Sequence, residues 1–246
     1  RASPAANESP VKSESPAAVV EPIRKTPVQR EAPVKIAKSS SRAATSRPID
    51  PLKQISPQQH ADNEFNKAAQ AAQQGKTEEA IAGYQRALRL DPLHHDARRA
   101  LAGVLLGANR TSDAETLLQE GLQRDSRESS FAMLLARMQV EREAIPLALE
   151  TLQKTLPYAD RQPEYHAFVA ALLQRENRHK EAVTHYQIAL QLSPGNGIWW
   201  MGAGISMQAV ERTADARDAY QRALATQSLS AELTAYVQNK LTELGN

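Results

Sequence analysis

Six histidines, no cysteine and a scatter of serines and carboxylates are the groups that could do chemistry in this 246-residue chain. With no thiol present, cysteine nucleophiles, disulfide frameworks and Cys-zinc sites are excluded. His94 and His95 are adjacent, and His179 and His185 stand six apart, off any single helical face. Neither pair is joined by a third ligand at metal spacing, so all four read as solvated surface histidines. No serine stands in a spacing that would give it a base and an orienting group. Glu78-Glu79, and Glu141 with Glu143, read as charged turns or faces rather than a catalytic carboxylate pair. Gly195-Asn196-Gly197 has no following Lys-Ser or Lys-Thr, so it is not a phosphate loop. The expectation is therefore no catalytic residue, no cofactor and no metal. Trp199 and Trp200 are the remaining conspicuous pair. An exposed tryptophan would be a recognition hot spot, but both are read here as core side chains.

The elements that carry these residues follow from composition. The formal net charge is +2, too small to point to nucleic acid or an anionic membrane. Apolar residues make up 41% of the chain and aromatic ones 4%. Much of the apolar share is Ala and Leu, which suits close-packed helices better than a β-sandwich. No run of about 18 or more apolar residues is present to span a bilayer. The chain starts at Arg1 rather than Met, so any signal peptide or membrane anchor would lie outside it. Residues 1–57 hold 9 of the 14 prolines and none of the aromatics, with 10 Lys or Arg against 5 Asp or Glu. Such a segment has too little apolar surface to offset its ordering entropy, and it is expected to be a disordered Pro-rich tether.

From residue 58 onward a 34-residue period takes over. Ala80, Ala114, Ala148, Ala182 and Ala216 mark it without a slip. Four positions later come Tyr84, Leu118, Leu152, Tyr186 and Tyr220, and eight positions later Leu88, Leu122, Leu156, Leu190 and Leu224. Twelve positions before each alanine stand Ala68, Ala102, Ala136, Ala170 and Gly204. The spacing of 4 and 4 lies along one helical face, and the small residues 12 apart let two helix backbones approach. Turn signals separate the two helices at Gln74-Gly75-Lys76, Ala108-Asn109-Arg110 and Glu176-Asn177-Arg178. Pro92 and Pro194 stand where a second helix must end, and Pro146 stands just inside the start of one. Pro157 should cut its helix short, making the third repeat the most irregular.

These residues resemble the tetratricopeptide repeat. The resemblance implies an all-α, right-handed superhelical solenoid of five repeats, at 61–94, 95–128, 129–162, 163–196 and 197–230. A capping helix over 231–244 would close it, with Leu233, Tyr236, Val237, Leu241 and Leu244 covering the last apolar face. In this family the concave face of the first helices binds partners. Carried onto this chain, that groove has Phe65, Arg99, Met133, Arg137, Gln174, Arg175, Met201 and Ile205. Arg99, Arg137 and Arg175 would cross it diagonally. Chaperone-binding members clamp a terminal carboxylate with basic and amide side chains. Phe65 and Ala69 fill the first two of those slots here, so that role is not expected.

A narrower resemblance rests on Glu164-Tyr165-His166-Ala167, Gly197-Ile198-Trp199-Trp200-Met201-Gly202 and Leu229-Ser230-Ala231-Glu232-Leu233. With the Pro-rich leader, these are similar to the MshN-type proteins of mannose-sensitive haemagglutinin (MSHA) type IV pilus biogenesis. That likeness implies a periplasmic scaffold, held to the inner membrane by a helix upstream of Arg1. Its partners would be other pilus or envelope assembly proteins, with no small-molecule substrate. Two other readings stay open at this point: a generic soluble repeat adaptor, and a regulatory subunit of a cell-envelope enzyme.

Overall fold

The computed structural model describes residues 56–245, and the expected tether over 1–57 lies outside them except for its last two residues. Among the described residues there are eleven α-helices and no strand, the all-α fold that the period predicts. The helices are α1 (Pro57–Gln73), α2 (Thr77–Leu90), α3 (His95–Gly107), α4 (Thr111–Arg124), α5 (Ser129–Glu141) and α6 (Ile145–Thr155). After a 3₁₀ turn at Leu156–Tyr158 come α7 (Pro163–Arg175), α8 (His179–Leu192), α9 (Gly197–Ala209), α10 (Thr213–Ala225) and α11 (Ala231–Glu243). Each odd-numbered helix up to α9 packs on the even one that follows it, and successive pairs stack.

One local device sets every pair. The first helix of each ends in the same left-handed turn, with φ of 73° at Gly75, 58° at Asn109, 59° at Glu143, 58° at Asn177 and 63° at Glu211. The next amide reaches back five residues: Lys76 N to Ala71 O, Arg110 N to Leu105 O, Ala144 N to Gln139 O, Arg178 N to Leu173 O and Arg212 N to Met207 O, all within 2.8–2.9 Å. This is the Schellman arrangement, which satisfies the last carbonyls of the helix and reverses the chain. Gly and Asn tolerate the positive φ; Glu143 and Glu211 do not favour it. Four of the five first helices (α1, α3, α5 and α9) start at a side-chain cap, whereas none of the second helices does. Ser56 and Gln59 form a reciprocal capping box at α1, and Asn196 accepts from the amides of Ile198 and Trp199 at α9.

Pro157 acts as the sequence predicts. Helix α6 stops at Thr155 after 11 residues and the 3₁₀ turn takes the chain round.

The five marker alanines Ala80, Ala114, Ala148, Ala182 and Ala216 are all fully buried, as are Ala102, Ala136 and Ala170. Four of the five period leucines are only half-buried, Leu190 being the exception. They sit at the edge of the helix pair rather than in its centre.

The core falls into two clusters that meet at α5. Phe131, Leu135 and Met138 join the cluster of α1–α4, whereas Ala132 and Ala136 join that of α6–α11. The closing helix α11 fully buries only Val237. Leu233, Leu241 and Leu244 are half-buried and Tyr236 is exposed. None of the described helices is long and apolar enough to cross a membrane.

Candidate protein-interaction site

The eight expected groove residues lie on the first helices α1, α3, α5, α7 and α9. Phe65 is half-buried, its ring 5.7 Å from Tyr84 and 5.0 Å from His94. Arg99 is exposed, pairs with Asp96 on its own helix and donates to Ser130 Oγ at 3.4 Å on α5. Seven residues further along α5, two turns or about 10.5 Å, Arg137 places its guanidinium 5.9 Å from the Phe168 ring on α7. Seven residues beyond Phe168 stands Arg175, exposed and in no ion pair among the described residues. The three arginines are thus spaced along a diagonal and do not converge. Met133, Met201 and Ile205 are half-buried on the C-terminal core. Helix α9 carries no charged side chain over its 13 residues.

Gln174 has a different task. Its Oε1 accepts from Tyr186 OH at 3.0 Å, and Gln208 does the same for Tyr220 at 3.1 Å. Burial raises the phenol of Tyr186 to about 12 and that of Tyr220 further still. These amides satisfy buried hydroxyls, so Gln174 is committed to its own repeat.

The N-terminal end of the first-helix row is strongly polar. His94 caps α3, its Nδ1 accepting from Ala97 N at 3.2 Å, and its Nε2 lies 3.3 Å from Asp62. His95 lies between Glu128 at 3.0 Å and Asp125 at 3.5 Å, with its ring edge-on to Phe131. The Arg127 amide and side chain hold the Asp125 carboxyl below its ordinary value. Glu64, bonded to Lys67 at 2.9 Å and Arg86 at 2.5 Å, is lowered to about 2.

Three of the four histidines singled out from sequence are therefore not free surface groups. His94 caps α3 and lies against Asp62, and His95 lies against Glu128 and Asp125. His185 meets His166, whose importance the spacing did not reveal. Their Nδ1 atoms are 3.1 Å apart and the rings stack with centroids 5.4 Å apart. His166 Nε2 lies 3.3 Å from the Asp160 carbonyl. Donation from Nε2 to that carbonyl leaves His166 Nδ1 as acceptor and His185 Nδ1 as donor. Burial lowers both imidazoles, and His166 lowers His185 further. Among the described residues no group of three or more metal-ligating side chains is found.

Trp200 departs from the core reading. Its indole is half-buried at the core's edge, Nε1 donates to Pro194 O at 2.8 Å, and Arg222 lies 5.0 Å from the ring. Trp199 is half-buried against the same core. Sequence reasoning also missed a basic cavity between α2 and α4, lined by Arg89, Arg98, Arg110 and Arg124. Arg98 was the available signal. It fills the repeat position that holds Glu64, Ala132, His166 and Trp200 elsewhere, a slot pressed between helices.

Sequence models of the tetratricopeptide repeat match residues 71–138 and 169–231. Among curated proteins, the human protein O-mannosyl-transferase TMTC1 is 29% identical over 154 residues. That match takes in 61% of this chain but only 18% of the transferase, so the chain spans less than a fifth of that relative. Among solved structures, YrrB, described as a TPR protein with an unusual peptide-binding site, superposes with a TM-score of 0.60 at 21% identity. It covers 73% of this chain and 92% of its own. Pseudomonas aeruginosa PilF gives a TM-score of 0.58 at 16% identity, over 77% of this chain and 90% of its own. At these identities the structural likeness is one of fold.

Proposed function

Because the chain belongs to the tetratricopeptide repeat family, we propose that it is a non-enzymatic scaffold that docks a partner protein across its first helices. We further propose that it serves assembly of an MSHA-type type IV pilus from the periplasmic side of the inner membrane, with its anchor preceding Arg1. The observation that carries the docking reading is the surface built by α5, α7 and α9. There Arg137 lies 5.9 Å from the Phe168 ring, Met133, Met201 and Ile205 are half-buried on the same row of first helices, and Arg175 stands unpaired among the described residues. A guanidinium on an aromatic ring next to apolar surface suits a partner segment that alternates carboxylates with apolar side chains. Arg99 contributes less, since Asp96 already neutralises it. The likeness to YrrB, whose description names a peptide-binding site, supports a peptide-like ligand. The MSHA assignment rests on the sequence resemblance around Trp199-Trp200.

The test is crosslinking in intact cells from photoreactive residues at Met133 and Met201, then identification of what is caught. A pilus assembly protein is expected. In vitro, Arg137→Glu with Arg175→Glu should weaken that partner's binding at least tenfold through added repulsion, with helicity by circular dichroism unchanged. Unaltered affinity would remove the first-helix row as the contact.

A second reading has one observation behind it, the match to part of a transferase. On that reading the repeats are the interaction arm of an envelope enzyme, and the crosslinked species would be that enzyme.

A further inference from the structure

On the opposite side of the repeats, successive second helices leave grooves between them, and the one between α2 and α4 differs from the rest in charge. It encloses a cavity of about 600 Å³. Its charged lining is four arginines, Arg89, Arg98, Arg110 and Arg124, against two carboxylates, Asp113 and Glu120. Asp113 is already taken: Arg110 Nε donates to it at 2.7 Å, and Glu78 adds a longer contact to Arg110 at 3.8 Å. Glu120 makes no ion pair among the described residues.

Arg98 forms the floor and is 3% exposed. A buried arginine normally faces a carboxylate, because desolvating a cation is costly. Here the guanidinium meets only backbone carbonyls, donating to Leu117 O and Pro92 O at 3.0 Å each. Carbonyl oxygens orient the group but carry no neutralising charge. Burial holds its acidity constant below the ordinary arginine value and the like charge of Arg124 pushes the same way, the nearby Glu120 carboxylate offsetting them only in part. Arg89 and Arg124 are exposed and in no ion pair among the described residues. The cavity is thus a positive site closed at the bottom and open at the top.

We infer that this cavity binds the carboxylate side chains of an acidic, partly apolar peptide segment, at a site separate from the first-helix groove. Size and lining select that chemistry over a lone phosphate. The cavity is many times the volume of a single inorganic anion, and Leu88, Leu101, Leu105, Leu117 and Pro92 form its apolar walls. Clefts of this size bury several side chains at once. A ligand there places carboxylates on Arg89 and Arg124 and apolar side chains on the leucines, neutralising positive charge that Asp113 and Glu120 offset only in part. Two faces of one solenoid would then engage two segments, of one partner or of two.

The experiment uses the full chain and a fluorescein-labelled dodecapeptide of alternating glutamate and leucine, read by anisotropy. Saturable binding is expected, weakening at least tenfold between 50 and 300 mM salt as screening sets in. Arg89→Gln with Arg124→Gln, both on exposed positions, should reduce affinity tenfold or more. Because the first-helix groove is proposed to take similar chemistry, the titration is repeated on the Arg137→Glu, Arg175→Glu background, where saturable binding should persist and should still fall tenfold or more when Arg89→Gln and Arg124→Gln are added. Arg98→Lys keeps the charge but loses the planar fork and should weaken binding several-fold. If that variant fails to fold, the surface pair still decides. Binding that is absent on the Arg137→Glu, Arg175→Glu background, or that is unaffected there by the Arg89 and Arg124 changes, overturns the site. Displacement of nothing by the peptide while inorganic pyrophosphate binds with the same arginine dependence overturns the peptide chemistry.

Discussion

At the scale of single residues, the stacked pair His166 and His185 makes stability depend on pH. Both imidazoles are lowered by burial in the folded chain, so the unfolded chain takes up protons first as the pH falls below about 6.5. Stability is therefore full above that value and declines below it. Asp160, facing His166, and Glu181, facing His185 while bonded to Arg178, oppose the shift but do not reverse it. Urea midpoints at pH 7.5, 6.0 and 5.0 should fall steadily for the native chain and less steeply for His185→Gln. Equal slopes would show the pair to be silent. The glycines give a sharper contrast. A Cβ at Gly204 would sit 2.7 Å from the Tyr220 ring, whereas one at Gly103 would meet nothing within 4 Å. Gly204→Ala should cost about 1–3 kcal/mol through overpacking. Gly103→Ala, in the middle of α3, should stabilise by about 0.5–1 kcal/mol because alanine loses less backbone freedom. Thermal unfolding reads both signs.

At the scale of elements, the five first helices share one C-terminal turn but not one residue in it. Gly75, Asn109 and Asn177 suit the left-handed φ, and Glu143 and Glu211 hold it under strain. The strain persists because the back-bonds Ala144 N to Gln139 O and Arg212 N to Met207 O, each 2.9 Å, fix the turn from both sides. Replacing Glu143 or Glu211 with Gly should raise stability by about 0.5–1 kcal/mol, since the turn geometry is already built. Asn177→Ala should lower it by a similar amount. Chemical denaturation of the three single variants tests the set, and a gain at Asn177 would contradict the account.

At the scale of the whole repeat array, the two core clusters joined through α5 predict graded rather than uniform stability. Each helix pair contacts only its neighbours, as in other solenoids, so damage stays near where it is made. Leu118 is fully buried in the N-terminal cluster. Leu118→Ala should cost about 2–5 kcal/mol locally. Amide exchange should then rise across α1–α4 while α7–α10 keep their protection. A uniform rise over all helices would mean that α5 couples the clusters into one cooperative unit. The same locality bears on binding, because a ligand on the α2–α4 cavity would stabilise one half and a ligand on α5, α7 and α9 the other.

The sequence by itself determined the period, the helix pairing and the small-residue seams. Ala80 through Ala216 are buried because a backbone approach of that closeness admits no larger side chain, and that limit is written in residue type and spacing alone. Pro157 and the Gly and Asn turns were legible for the same reason, since each acts within a few residues of itself. The family groove could be mapped by position, but not what its members do. Only the packed helices commit Gln174 to Tyr186 and Arg99 to Asp96, and leave Arg137 on Phe168. Tertiary structure alone decided that His166 and His185, 19 positions apart, share a hydrogen bond. It alone gathered Arg89, Arg98 and Arg124 from three helices, and Arg110 from the turn before α4, around one cavity. Side chains meet there through the rotation and offset of one helix on the next, and a 34-residue period fixes the repeat of that offset without fixing its value.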